Sequence, residues 1–276
     1  MTRFFLLVLL VMLWVRGASV PTEALRFAPL SIQNKSEMVK EFIPFFAYIQ
    51  KKLGVKKTQF IYEKDYAKLI EKFKNNRIDM TLLGPLPYLK LQQEYPHIQP
   101  IVVFKNAHGK AYYRCVLVHF AKDTVAFDRS LKVALTQPLS TCGYYATRLL
   151  LKEHYAIDLN DTSFSYNFSH HEALFRVLEG HFDAAGVKDS VAHDFETLGI
   201  EILAKSKPFP EFALVVNTQT LSKQTIAKLQ RLIFDIPVAL YQKWGGIFRY
   251  GFAPINKDAY DDIVVDFKNI PQEGKP

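Results

Sequence analysis

Residues 131–151 read LKVALTQPLSTCGYYATRLLL. Val133-Ala134-Leu135 is a short apolar run, as in a buried strand. Thr136, Gln137 and Pro138 break the run, and Ser140, Thr141 and Gly143 follow. Tyr145, Leu149 and Lys152 then recur at helical spacing. The stretch therefore predicts a strand, a tight polar loop and the start of a helix. The first turn of a helix leaves backbone N–H groups without partners, and the helix dipole adds partial positive charge there. Gly143 has no Cβ, so a ligand can approach the backbone closely. Ser140 and Thr141 add hydroxyl donors. Together these features suit an oxyanion. Taken alone, the stretch reads better as an ordinary helix cap at Ser140 or Thr141. The rest of the chain shifts that balance.

On the N-terminal side, residues 24–28 predict a strand ending at Pro29. Residues 36–52 predict a helix with Met38, Phe42, Phe45, Phe46 and Ile49 on its core face, started or kinked at Pro44 and stopped by Gly54. Residues 59–62 predict a second strand, 66–73 a second helix, and 78–83 a third strand closed by a loop over 84–88. This alternation predicts an α/β fold with a largely parallel sheet. Ligands in such sheets bind beyond the C-terminal strand ends, here the loops 29–31, 62–66 and 84–88. On the C-terminal side, strands are expected over 112–120, 164–166, 182–187 and 213–216. Helices are expected over 173–179 and, as one long element, 225–244. A helix end, a turn and an Asp before a small or apolar strand occur twice: Asn76-Arg77-Ile78-Asp79 and Gly180-His181-Phe182-Asp183. Two lobes of similar plan follow, the first over 20–108, the second over 109–208, with 209–276 returning to the first. The crossings are expected near 106–110 and 205–212.

The 276 residues are 49% hydrophobic and 22% charged, the balance of an ordinary folded protein with one large domain or two lobes. The formal charge is +8, but it is spread out, and the densest spots, Lys51-Lys52 and Lys56-Lys57, flank Gly54. Nucleic acid is therefore disfavoured as a partner. Arg3 is followed by FFLLVLLVMLWV, 12 apolar residues, too few for a comfortable membrane span. Gly17-Ala18-Ser19 offers small residues for cleavage, so residues 1–19 are expected to be a secretory signal peptide. No later segment is apolar enough to span a membrane, so the mature protein is expected to be exported and soluble. Of the two cysteines, Cys115 lies in an apolar run and Cys142 in the polar loop. An exported chain can join them, but their positions favour two separate thiols. No P-loop, metal cluster or dinucleotide fingerprint is present, so no cofactor is expected.

Three segments, DYAKLIEKFKNNRIDMTLLGPLPY (65–88), LKVALTQPLSTCGYY (131–145) and SHHEALFRVLEGHFDAAGV (169–187), resemble in this order the phosphonate-binding proteins of ABC transporters. The resemblance runs from about residue 27 to 260. It implies a type II periplasmic binding fold of two α/β lobes, with a ligand cleft and two hinge crossings. It also implies a binding protein, not an enzyme. The ligand would be a phosphorus oxyanion such as a phosphonate, phosphite or phosphate, passed in the periplasm by a monomer to a membrane permease. Position by position, the resemblance assigns ligand contacts to Tyr66, Tyr88, Ser140, Thr141 and Gly143. It also assigns one to the histidine before the second-lobe helix. His170 and His171 compete for that place, and the Glu172-Ala173 that follows favours His171. Acidic residues would recognise a ligand amine, with Asp189 and Glu211 as candidates. Tyrosine hydroxyls can donate to the anion while their rings exclude water, and a histidine can donate from either nitrogen.

Three other readings stand beside this one. A hydrolase could use Ser140 and His171 with Asp183 or Asp189, but the order does not fit the α/β hydrolases and no G-x-S-x-G occurs. The same fold could sense a ligand for a signalling receptor. It could also hold a sulfonate, or a soft oxyanion caught by Cys142.

Overall fold

A computed structural model describes residues 24–30 and 35–275, without the side chains of Lys35, Glu37 and Met38. The leader over 1–19, the loop position Ser31 and the Met38 side chain lie outside the described residues. The chain begins with β1 (Ala24–Pro29), α1 (Lys35–Leu53), β2 (Lys57–Phe60), α2 (Tyr66–Lys74), β3 (Met80–Leu83), α3 (Pro85–Glu94) and β4 (Ile98–Phe104). It continues with β5 (Tyr112–Tyr113), β6 (Cys115–Phe120) and β7 (Lys132–Leu135), then a π-helical turn (Thr141–Ala146) that runs into α4 (Thr147–Tyr155). Next come β8 (Ser163–Tyr166), α5 (His170–Leu178), β9 (Ala184–Lys188), α6 (Asp189–His193) and β10 (Ile200–Lys205). The last elements are β11 (Phe209–Pro210), β12 (Ala213–Asn217), α7 (Lys223–Phe234), α8 (Val238–Trp244) and β13 (Phe252–Ala253).

Among the described residues there are two main sheets, ordered β13-β4-β12-β3-β1-β2 and β10-β6-β9-β7-β8. In the first, β2, β1 and β3 are parallel and β12 lies antiparallel beside β3. In the second, β8, β7 and β9 are parallel and β6 lies antiparallel beside β9. The sheets are thus mixed rather than largely parallel. β6 and β12 each arrive directly from the opposite lobe, with no crossover helix to turn them round. The two connections between lobes run side by side, because β5 and β11 pair antiparallel within them.

The repeated Asp has one backbone role in both sheets. Asp79 is buried, and its carboxylate accepts the Arg26 backbone N–H at 2.7 Å, while its own N–H donates to the Arg26 carbonyl at 2.9 Å. Asp183 does the same with Lys132, at 2.7 and 2.9 Å. Each Asp fastens the start of a third strand to the first strand. Only Asp79 adds an ion pair, with the Arg26 guanidinium at 2.5 Å. An aromatic cluster of Phe27, Phe42, Phe45, Phe46, Phe104 and Phe248 fills the first lobe beneath α1.

Several elements differ from the sequence expectation. Pro44 lies inside an unbroken α1. The segment 84–88 is the first turn of α3, with proline tolerated at its first helical position because no N–H is needed there. The expected helix over 225–244 is two helices, split around Pro237, which has no N–H to continue the ladder. The last residues do not stay with the first lobe. Lys275 pairs with Phe164 of β8, and Pro271 accepts the Tyr166 hydroxyl at 2.7 Å, so the tail covers the open edge of the second sheet. Cys115 and Cys142 are not separate thiols but a disulfide, with Cα atoms 5.0 Å apart. The π-helical turn packs on β6 and β9, and this brings Cys142 onto Cys115.

Candidate functional site

The C-terminal ends of the two parallel strand sets face each other across a cavity of about 20 Å³. Leu30, Tyr66, Gly84 and Pro87 line it from the first lobe. Leu139, Ser140, Thr141, Cys142, His170 and Lys188 line it from the second, and Tyr113 and Phe212 from the connections. Such a volume holds about one water. A groove of about 380 Å³ adjoins it and shares Leu30, His170, Lys188 and Phe212.

The polar loop after β7 is built as a cap and as a bridge. The Ser140 hydroxyl accepts the Gly143 N–H at 3.0 Å. The N–H groups of Tyr144 and Tyr145 both donate to the Ser140 carbonyl. The helical ladder therefore begins after Thr141 and Cys142, whose N–H groups stand ahead of it. The widened π turn is a device often found at functional positions. Thr141 reaches across the cleft, where its hydroxyl accepts the Leu86 N–H at 3.0 Å. Gln137 also spans the lobes. Its side chain accepts the Tyr66 N–H at 3.2 Å and donates to the Lys64 carbonyl at 3.0 Å and, within its own lobe, to the Phe168 carbonyl at 3.3 Å. The lobes are in direct contact, and the cavity is correspondingly small.

Tyr66 and His170 are each the first residue of a capped helix. Asp65 caps α2 by accepting from the Ala67 and Lys68 N–H groups, and Ser169 caps α5 by accepting from Glu172. Burial pushes the Tyr66 and Tyr113 hydroxyls well above their ordinary pKa, so both remain protonated donors. His170 is driven down to about 3, first by burial, then by Lys188 and His171. It is neutral at physiological pH, and its buried Nδ1 has no hydrogen-bond partner among the described residues. Lys188 ends β9 and forms an ion pair with buried Glu211 at 2.7 Å. Its ammonium also lies 4.6 Å from the Tyr113 ring centroid and 5.5 Å from that of Phe212.

The structure brings Tyr66, Ser140 and Thr141 together in the cavity. It places His170 there and His171 in the adjoining groove, against Phe195. Tyr88 follows Pro87 but packs its ring 4.9 Å from Tyr260, away from the residues lining the cavity. Gly143 serves the loop's own packing. A Cβ there would lie 2.0 Å from the Thr136 hydroxyl, so only glycine lets the turn settle on the strand end. The Asp189 carboxylate accepts the Ser190 N–H at the start of α6 and does not line the cavity. Lys188, Tyr113 and Phe212 were not expected from sequence. The signal for Lys188, and for His170 over His171, lies in the repeat. Tyr66 and Gly84 stand 13 residues before and 5 after Asp79, and His170 and Lys188 stand at the same offsets from Asp183.

The chain matches the family model for the periplasmic substrate-binding protein of phosphonate ABC transporters over residues 27–260. It is 25% identical over 137 residues to the phosphate-import protein PhnD of Mycolicibacterium smegmatis, covering 48% of this chain and 42% of that protein. It is 24% identical over 170 residues to the phosphonates-binding periplasmic protein of Escherichia coli, covering 59% and 50%. The chain thus spans about half the length of these curated relatives. PhnD1 from Prochlorococcus marinus, solved in complex with methylphosphonate, shares the fold with a TM-score of 0.75 at 15% identity, over 87% of this chain and 96% of that one. Two α/β lobes, two side-by-side connections and a polar cavity at the facing strand ends agree with the type II periplasmic binding fold. The chain belongs to the family of periplasmic substrate-binding proteins of phosphonate ABC transporters, a family of binding proteins rather than enzymes.

Proposed function

We propose that the protein captures a small phosphorus oxyanion, a phosphonate, phosphite or phosphate, and delivers it to a membrane permease. The observation that carries this reading is the set of groups converging on one cavity. Ser140, Thr141, neutral His170 and cationic Lys188 line it together with Tyr66 and Tyr113. The unpartnered His170 Nδ1 is a buried polar atom of the kind that a ligand oxygen satisfies. Hydroxyls and backbone N–H groups aimed into a closed space bind an anion without needing a large net charge. The Ser140 oxygen accepts the Gly143 N–H, which leaves the hydroxyl hydrogen to donate to a ligand. Tyr88, Gly143 and Asp189 do not line this cavity.

Export through the leader at 1–19, action as a monomer and independence from nucleic acid belong to the same proposal. Among the described residues no helix is long and apolar enough to cross a membrane. The test is calorimetry on refolded mature protein, stripped of carried ligand, against methylphosphonate, phosphite, phosphate and sulfate. Binding of at least one phosphorus oxyanion in preference to sulfate is expected. Silence toward all three phosphorus anions would remove the proposal.

A further inference from the structure

We propose that Lys188 makes this site selective for oxyanions that carry no amine; the inference rests on the phosphorus-oxyanion reading above. A ligand ammonium is held most strongly by a carboxylate or an aromatic face. Where the cavity opens into the groove, Lys188 already occupies the carboxylate of Glu211 and the faces of Tyr113 and Phe212. The Lys188 ammonium is 2.7 Å from Glu211 Oε1. The other carboxylate oxygen of Glu211 accepts the Phe212 N–H at 3.3 Å. The same ammonium lies 4.6 Å from the Tyr113 ring centroid and 5.5 Å from that of Phe212. Lys188 is held in place on three sides, and it lines the cavity together with Ser140, Thr141 and His170.

An amine on a short chain attached to the bound oxyanion would therefore meet a fixed like charge. The remaining acids near the cleft do not offset this. Glu41 and exposed Asp194 line the wider groove and not the cavity, and the Glu41 carboxyl already accepts the Ile247 N–H. A methyl or ethyl group meets no such charge. It lies against the ring faces and the lysine stem, which are apolar. Lys188 is thus a specificity-determining residue, with Glu211 as its positioning partner.

Ethylphosphonate and aminomethylphosphonate test this directly, because they exchange a terminal methyl for an ammonium of nearly the same size. Calorimetry at neutral pH should show the parent protein preferring ethylphosphonate by about tenfold or more. Lys188→Met keeps an apolar stem and frees Glu211, so the ratio should move toward the amine by about tenfold. Lys188→Arg should keep the parent's preference. A parent preference smaller than this, or an unchanged ratio in Lys188→Met, would overturn the proposal. If Lys188→Met does not melt cooperatively, the parent ratio decides alone. Binding of phosphate or phosphite without either organic probe sinks the selectivity and leaves the oxyanion reading intact. Silence toward all four anions and toward methylphosphonate sinks both.

Discussion

The two lobes are built on one plan and use it differently. In each, three parallel strands run in the order second-first-third, and an antiparallel strand from the other lobe lies beside the third. In each, the second strand leads to a capped helix whose first residue faces the cavity, Tyr66 in one lobe and His170 in the other. The third strand is followed by Gly84, the cap of α3, in one and ends at Lys188, the cap of α6, in the other. Gly84 presents only a small neutral residue there, and a notional Cβ would meet Phe212 and Thr141 at ordinary van der Waals distances. Lys188 puts a charge at the same place. The first lobe thus offers a mostly uncharged wall and the second lobe supplies the polar groups. Closing them together concentrates donors on one side of the ligand.

The largest test of this division alters only the second wall. Ser140→Asp should keep the fold, because aspartate caps a helix as well as serine and can still accept the Gly143 N–H. It also sets a carboxylate beside the anion. At about 4 Å and an effective dielectric near 20, two like charges repel by about 4 kcal/mol, roughly a thousandfold in affinity. Thr141→Ala should weaken binding by about 1.5–3 kcal/mol, since one donor to a charged group is lost. It also removes the acceptor of the Leu86 N–H. Parent-like affinity in Ser140→Asp would mean that the anion sits elsewhere in the cleft.

The repeated aspartates separate the lobes by stability. Asp79→Ala should cost about 3 kcal/mol, the low end for breaking a buried ion pair, since Arg26 keeps 31% exposure. Asp183→Ala loses the one bond its carboxylate accepts from the Lys132 N–H but no ion pair, and should cost about 1–2 kcal/mol. Chemical denaturation of both variants checks the order. Equal losses would show that the Arg26 pair adds nothing.

The repeat was legible in sequence because its punctuation is local. Asp65 before Tyr66 and Ser169 before His170 are cap residues, and the two aspartates sit at fixed offsets behind them. Those offsets single out His170, which lines the cavity, whereas the neighbouring Glu172-Ala173 points to His171, which lines the adjoining groove. Strand order was not legible. Nothing in residues 115–120 says that β6 inserts beside β9, and without that neighbour Cys115 and Cys142 look unrelated. Glu211 looked like a free acid because its partner Lys188 stands 23 residues away in sequence. Tyr88 and Gly143 fitted the site by adjacency, and packing against Tyr260 and Thr136 claims them instead.

The disulfide belongs to one lobe only and ties the polar loop after β7 to the start of β6. It closes a sequence separation of 27 residues, for which constraint of the unfolded chain is worth about 2–4 kcal/mol. The Cys115→Ala/Cys142→Ala double variant should melt at a lower temperature by a corresponding amount and bind more weakly, because the turn that carries Thr141 loses an anchor. An unchanged affinity with a lowered melting point would confine the bridge to stability.

The paired positions Tyr66 and His170 are separated by pH. The folded pKa of His170 lies at about 3, against 6.5 for the ordinary side chain. A base whose folded pKa is depressed gives its full stability above the unfolded value, and loses it as pH falls from about 6.5 toward 3. The unfolded chain takes up a proton there and the folded chain does not. At pH 5 the interval is about 1.5 units, worth roughly 2 kcal/mol in the ligand-free protein. His170→Asn should remove that part of the acid destabilisation. Tyr66→Phe should retain it, because burial raises the tyrosine hydroxyl, which stays neutral throughout the range. A bound anion favours charged His170 and so raises its pKa, which should flatten the parent's acid slope when ligand is present. Melting curves of the three proteins between neutral pH and about pH 5, with and without ligand, read all of these effects. Parallel slopes for parent and His170→Asn would mean that this histidine is not held neutral, and the likeness of the two helix starts would then be one of shape alone.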